Sequence, residues 1–255
     1  MKEFEGLCDL HNHLMFGVDD GAENSSETEA MLLDAVKNNV KVIVATPHTL
    51  TEKDCKYQEI FKLAESMAAR YDIQLLPGAE YSVQHLPENP PYITLGGKAN
   101  GAVLVDFKQP LITSDCQAAI DNIFSVDCKV IVAHPERSFP RNMLDDLNRL
   151  AELGVVYQLT AASILGVYGK QIRQMCWTLL ENGWAKIIAS DAHDSSQRAN
   201  LLLDAYKSVA RRYGICAAEV LQQNARDVLE DTGRMLERMP VRKRLFNIGS
   251  WLKQY

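Results

Sequence analysis

Seven short runs rich in Val, Ile and Leu recur along the chain, at 6–10, 40–45, 73–78, 102–107, 129–133, 155–159 and 185–189. Most begin 26 to 31 residues after the one before, which leaves room for one helix and two loops. Runs this continuously apolar suit strands buried on both faces of a parallel sheet. The segments between them carry helical spacing. Ser26 and Glu29 stand at capping-box distance, Met31, Leu32, Ala35 and Val36 form an apolar stripe, and Asn38 and Asn39 end it. Leu144, Leu147, Leu150 and Ala151 before Gly154 predict another helix, as do Ile172, Met175, Trp177, Leu179 and Leu180 before Asn182 and Gly183. Repeated βα units without a compositional break predict an α/β fold, a closed parallel barrel in preference to an open doubly wound sheet.

Length and composition agree with one barrel-sized unit. The chain has 255 residues, 47% hydrophobic and 24% charged, which excludes disorder for most of it and supplies a sizeable core. A net charge of −6 argues against a general nucleic-acid-binding surface. That charge is uneven: residues 233–255 carry +5, with six Lys/Arg and one acidic residue, against −11 for residues 1–232. The division expected is therefore a catalytic body over 1–232 and a basic, helical C-terminal tail over 233–255. In that tail Leu245, Ile248 and Leu252 lie at helical spacing beside Arg242, Lys243 and Arg244, so it either packs on the body or lies on an anionic membrane. The opening MKEFEG has no apolar signal core, and the longest uncharged stretch, 153–169, is too short and interrupted for a span; a cytoplasmic protein is expected. Six cysteines without a C-x-x-C pair read as reduced thiols at apolar positions.

The residues that end the predicted strands carry the chemistry. In order they are His11, His13 and Asp20; His48; Glu80; Asp106; His134 with Glu136 and Arg137; Thr160 with Ser163; and Asp191 with His193. Five of the six histidines fall at such ends, and only His85 does not. Parallel barrels gather reactive groups at the C-terminal ends of their strands, so these side chains should converge. His11 and His13 are two apart and in an extended chain point to one face, a spacing Asp191 and His193 repeat. A lone H-x-H is often only a hydrogen-bonded pair. Nine His and carboxylate groups at successive strand ends instead predict two or three divalent ions, and without thiolate the set suits Mn, Fe or Zn. Such ions lower the pKa of bound water and clamp the oxygens of an in-line displacement at phosphorus, so phosphoester hydrolysis is the expected reaction. Arg137 and Arg198 would lie at the rim, where a guanidinium grips phosphate or simply makes a surface ion pair.

Five segments, DLHNHLMFGVDDGA (9–22), VATPH (44–48), PGAE (77–80), VAHPER (132–137) and ASDAH (189–193), closely resemble the polymerase and histidinol phosphatase superfamily. Within it they resemble the bacterial capsule and exopolysaccharide tyrosine-protein phosphatases, over about the first 230 residues, with V-D-D-G at 18–21 the most discriminating piece. The resemblance implies a distorted (β/α)7 barrel holding three metal ions, usually manganese. It implies hydrolysis of phosphotyrosine by metal-activated hydroxide, the substrate being the tyrosine-rich tail of a membrane-associated autokinase that controls polysaccharide export. By position, one metal falls to His11, His13, Glu80 and Asp191. Glu80 bridges to a second metal with Asp106 and His134, and a third uses Asp20, His48 and His193. Arg137 and Arg198 match the two arginines placed near substrate phosphate. The sequence departs from the pattern twice: the family commonly has Glu where this chain has Asp106, and an aromatic directly after HPER where this chain has Ser138 before Phe139.

Thiol chemistry is disfavoured independently. A cysteine-dependent tyrosine phosphatase needs an arginine six residues after its nucleophile, and here those positions hold Leu14, Phe61, Asn122, His134, Asn182 and Gln222. Two other readings stay open: a small-molecule phosphatase similar to histidinol phosphatase, and a metal-stabilised kinase regulator without turnover.

Overall fold

The computed structural model describes residues 4–48, 55–87, 91–109, 112–230 and 235–241. Each of the seven apolar runs is a strand: β1 (Leu7–Asn12), β2 (Val40–Ala45), β3 (Gln74–Pro77), β5 (Ala102–Asp106), β6 (Lys129–Ala133), β7 (Val156–Thr160) and β8 (Ala185–Ala189). An additional short strand, β4 (Glu80–Ser82), follows β3 after a two-residue break. Gly78 sits in that break against β2, where a Cβ would meet Val44 Cγ1 at 2.6 Å, so only glycine lets the chain pass. Among the described residues the fold is α/β with parallel pairing throughout, but as eight strands in two sheets, ordered β1-β2-β3 and β4-β5-β6-β7-β8, where a ring of seven was expected. Isolated parallel bridges, His48 with Glu80 and Asn12 with Ala192, tie the two sheets together at or just beyond the C-terminal ends of β1, β2 and β8.

Helices α1 (Ser25–Lys37), α2 (Cys55–Ala69) and α3 (Ser114–Ser125) follow β1, β2 and β5. They are joined by α4 (Pro135–Ser138), α5 (Leu144–Glu152), α6 (Ala161–Leu165), α7 (Lys170–Glu181), α8 (Leu202–Tyr213) and α9 (Ile215–Glu230). The first helix starts earlier than the capping-box spacing indicated. Its N-cap is Asn24, whose side chain accepts from Ser26 N and Glu27 N, and Glu29 accepts from the Tyr71 hydroxyl at 2.7 Å instead of closing a box.

Side chains alternate along the strands between two apolar clusters. Val103, Val105, Val130, Val132 and Ile188 join the large cluster shared with the helices, whereas Cys8, Leu10, Val44, Leu104, Ile131 and Ile187 form a second cluster with Ala225 and Val228 of α9. Four cysteines, Cys8, Cys116, Cys128 and Cys176, are buried, as apolar fillers would be; Cys216 is exposed. Among the described residues no helix is long and apolar enough to cross a membrane. Residues 235–241 run without helix against α9, where Asn224 donates to Glu237 O and accepts from Glu237 N, and Met239 is buried. The boundary expected at 232, and the segment with Leu245, Ile248 and Leu252, lie outside the described residues.

Candidate metal centre

The strand ends converge. His11 and His13, at and just beyond the end of β1, bring their Nε2 atoms to 3.0 Å from each other. Glu80, the first residue of β4, places Oε2 3.2 Å from His11 Nε2 and 3.4 Å from His13 Nε2. Asp191 Oδ1 stands 3.3 and 3.6 Å from the same two nitrogens. Both carboxylates are about 1% exposed. Toward β6, His134 Nε2 donates to Glu80 Oε1 at 2.9 Å. On the outer side, Asp20 Oδ1 is 3.4 Å from His48 Nε2 and 3.5 Å from His193 Nε2.

Three groups of donors lie close enough to hold an ion: His13, Asp20, His48 and His193; His11, Glu80 and His134; and His11, His13 and Asp191. Asp106 joins none of them. It ends β5 with Oδ1 3.6 Å from His134 Nδ1, and neither buried atom has a hydrogen-bond partner. Two arginines approach from the rim onto one oxygen: Arg137 Nη2 donates to Asp191 Oδ2 at 2.6 Å, and Arg198 Nη2 lies 3.6 Å from it. Arg137 is braced by the Tyr168 ring, 5.5 Å from the guanidinium carbon. Glu136 and Thr160 stand apart as a buried support, Glu136 Oε1 accepting from Thr160 N at 3.0 Å beside Ser163. His85 closes a short 3-10 turn after β4, and its side chain lies outside the described residues.

The site is built by strained and supported backbone. His134 and Asp191 both adopt the left-handed region, with φ of 33° and 56°, which few non-glycine residues occupy and which turns each side chain inward at its strand end. A register shift between Asp9 and Asn12 of β1 brackets His11 and locally breaks the pairing there. The V-D-D-G turn folds directly over His13: a Cβ at Gly21 would meet His13 O at 2.0 Å, so no other residue fits. From that turn Asp19 accepts from His13 Nδ1 at 2.7 Å, from Gly21 N at 2.9 Å and from His48 N at 3.1 Å. His11 Nδ1 donates to Gln158 Oε1 at 2.9 Å, and His193 Nδ1 to Asp191 O at 3.0 Å. Each of these three histidines thus commits Nδ1 to a fixed partner and turns Nε2 toward the centre, the usual support of a ligating imidazole.

Asp19 and Gln158 were not among the candidates read from the sequence, nor was Asp9, which is fully buried and accepts from Ser190, Asn12 and Asn200 to join β1 to the loop after β8. Asp19 had a signal, since it adjoins Asp20 within the most discriminating motif. Gln158 and Asp9 sit inside apolar runs, where spacing marks neither.

Electrostatics follow from this packing. Burial works against ionised Glu80, yet His11, His13 and His134 hold its carboxyl well below the usual range. Burial likewise opposes ionised Asp191, which His11, His134 and Arg137 keep low. His13 is pushed up to about 10, the hydrogen bonds of Asp19 and Glu80 overcoming its desolvation. His193 is pushed down to about 3 by burial and by His13 stacked on it at 3.8 Å. Two buried carboxylates, facing imidazole nitrogens and the partnerless Asp106 and His134 atoms form a donor set of hard oxygens and imidazoles that divalent cations fit.

The model of the family described as capsular polysaccharide synthesis, CpsB/CapC, matches residues 7–230 of this chain. CapC of Staphylococcus aureus is 29% identical over 207 residues, 77% of this chain and 80% of CapC. Tyrosine-protein phosphatase YwqE of Bacillus subtilis is 25% identical over 239 residues, 88% of this chain and 92% of YwqE. Among solved structures, one reported for YwqE from Bacillus subtilis and CpsB from Streptococcus pneumoniae, described as unique metal-dependent tyrosine phosphatases, superposes with a TM-score of 0.81 at 24% identity. It covers 93% of this chain and all of the other. A β-aspartyl dipeptidase from Fervidobacterium islandicum AW-1 shares only the fold, with a TM-score of 0.53 and 17% identity over 89% of this chain and 75% of that one.

Proposed function

The chain belongs to the CpsB/CapC family of capsular polysaccharide synthesis, and from that membership we propose that it is a metal-dependent protein-tyrosine phosphatase acting in a capsule or exopolysaccharide pathway. The observation that carries the reading is the convergence of buried His and carboxylate donors under two arginines that share one Asp191 oxygen. In this reading the ligands are His11, His13, Asp20, His48, Glu80, Asp106, His134, Asp191 and His193. They hold three divalent ions, manganese in preference to iron or zinc, within a distorted seven-unit barrel of the polymerase and histidinol phosphatase type. The substrate is the phosphotyrosine tail of a membrane-associated autokinase, met in the cytoplasm, where the basic residues beyond 241 suit an anionic membrane surface. Bound divalent ions supply Lewis acidity and a water acidic enough to be a nucleophile at neutral pH.

The chain's own residues do the rest. Arg137 and Arg198 present guanidinium donors that exchange the Asp191 oxygen for phosphoryl oxygens, orienting the ester and neutralising charge that grows on it. Asp19, Gln158 and the Asp191 carbonyl fix three imidazole planes, so little reorganisation accompanies the reaction. A tyrosine phenolate, with a reference pKa of about 10, leaves with little proton assistance, which frees His48 and His193 for ligation. Three of the buried thiols are held away from the attacking form: burial pushes Cys8, Cys128 and Cys176 up, away from the thiolate.

The test is chelator stripping and stepwise metal add-back while phosphotyrosine-peptide hydrolysis is followed. Activity restored by a divalent ion, resistant to thiol alkylation and abolished in a folded His134→Ala variant is expected. Loss on alkylation alone, or full activity in His134→Ala, refutes the assignment. A kcat/KM for histidinol phosphate above that for the peptide would move the substrate to the small-molecule class.

A further inference from the structure

Beside the metal centre lies an open groove of about 760 Å³ between α4 and α7, and Arg137 belongs to both. Its Nη2 reaches Asp191 on the catalytic side, while the side chain forms the near wall of the groove. The floor is apolar, from Phe139, Ile172 and Met175. The lining also carries Arg141, from the turn after α4, and Lys170, the first residue of α7; both are exposed, and among the described residues neither makes an ion pair or a side-chain hydrogen bond. The single acidic lining residue, Glu136, is 3% exposed and turned inward to Thr160 N, so it neutralises neither cation at the surface.

Two exposed cations beside apolar Phe139, Ile172 and Met175 in one groove form a surface complementary in charge and polarity to a chain that sets a carboxylate next to an apolar side chain. The volume also exceeds what a phosphotyrosine side chain at the metal centre would use, and it begins at the arginine that would hold the phosphate. We propose that this groove is a specificity subsite for the substrate peptide: with the phosphotyrosine in the metal centre, it takes the adjoining residues and prefers those bearing a carboxylate next to an apolar side chain. The inference deepens the phosphatase reading and rests on it. The apolar side chain is buried on Phe139, Ile172 and Met175, and the carboxylate meets Arg141 and Lys170 at the rim. Exposed pairs of this kind are modest individually and weaken with salt, so the preference is an effect on KM more than on kcat.

The experiment uses the full metal-loaded chain and three phosphotyrosine peptides differing only in flanking Glu, Gln or Lys, with p-nitrophenyl phosphate as a substrate too small to reach the groove. Wild-type enzyme is expected to favour the Glu peptide over the Lys peptide by about tenfold in kcat/KM, mainly through KM, with the difference shrinking in high salt. The double variant R141E/K170E should lose that preference or invert it, while its p-nitrophenyl phosphate turnover is unchanged. Glu at position 170, the first residue of α7, suits the positive helix terminus, so the variant should stay folded, and R141Q/K170Q gives the same loss of preference without reversed charge. Anisotropy of a labelled phosphonate peptide, which cannot be hydrolysed, should show the same order of affinities. Equal kcat/KM for the three peptides, or a double variant that discriminates like the wild type, overturns the groove while leaving the phosphatase reading intact. If the wild type hydrolyses neither peptide nor p-nitrophenyl phosphate, the phosphatase reading itself fails and the subsite falls with it.

Discussion

The inner and outer halves of the centre are made of the same residue types in opposite environments. Inside, the Glu80 and Asp191 side chains are 1% exposed and each faces several imidazoles; outside, the Asp20 side chain is 60% exposed and His48 27%. A buried carboxylate is tolerable only when charge and hydrogen bonds replace its lost water, which is why the inner half is ringed by histidines and Arg137. The outer half bears little of that cost, and its carboxylate can exchange between imidazole, Arg198 and water. Retention of ions therefore belongs to the inner half, and exchange with water and substrate to the outer.

The sharpest way to break this contrast is Glu80→Gln. One carboxylate there meets His11, His13, His48 and His134, and its loss leaves four imidazoles, three of them buried, without a shared anion. Phosphotyrosine-peptide kcat/KM should fall roughly a thousandfold or more, with ions lost on dialysis, since a few kcal/mol of lost charge stabilisation is several factors of ten. Activity within tenfold of wild type would remove Glu80 from the centre.

Adjacent aspartates test the contrast at the next scale. Asp19, whose side chain is 3% exposed, fixes His13 and the V-D-D-G turn, whereas exposed Asp20 touches the outer histidines and Arg198. Asp19→Asn should weaken metal affinity by about 10- to 100-fold, as loss of a ligand's supporting partner does. Asp20→Asn should leave the tightest-bound ion in place and mainly raise KM. Isothermal titration with the chosen ion and steady-state kinetics separate the two, and a larger affinity loss in Asp20→Asn would reverse the inner and outer roles.

Protonation gives a milder readout. His13 is raised to about 10, above its ordinary value near 6.5, so in metal-stripped protein its pairing with Asp19 and Glu80 contributes fully below pH 6.5 and is lost as pH rises through about 10. His193, lowered to about 3, stays neutral across that range and adds no slope. The thermal midpoint of stripped enzyme should drop by several degrees between pH 7 and 10. The drop should flatten in His13→Asn and under saturating metal, because ligation needs the deprotonated ring. A midpoint equally steep in His13→Asn would assign the slope elsewhere.

How much of this was legible in the sequence depended on whether residue type marks role. Strands were readable because burial on both faces demands continuous apolar runs, and the His and carboxylate positions were readable because such residues rarely end buried strands without a purpose. The short strand β4 was not, since three residues after Gly78 and Ala79 carry no period and owe their pairing to β5 and to the His48 bridge. Asp9 and Gln158 escaped because a polar residue inside an apolar run looks the same whether it merely finds a partner or orients a ligand. The Asn24 cap was missed because Ser26 and Glu29 offered the stronger local pattern, which Tyr71, 42 residues beyond Glu29, then overrode.

Asp106 lies at the edge of the inner half, beside His134, and yields the smallest effect. It is 8% exposed, its carboxyl is raised by burial, and its Oδ1 stops 3.6 Å short of His134 Nδ1 with no partner on either atom. The resemblance puts glutamate at this position, and one methylene adds about 1.5 Å of reach. Asp106→Glu should therefore extend the carboxylate into the space beside His134 and tighten retention of the ion held there by about threefold to tenfold, with peptide KM unchanged. Asp106→Asn, which keeps the size and removes the charge, should loosen it by a similar factor. If Asp106→Glu and Asp106→Asn retain metal equally, the carboxylate at this strand end is a bystander, and the inner half of the centre ends at His134.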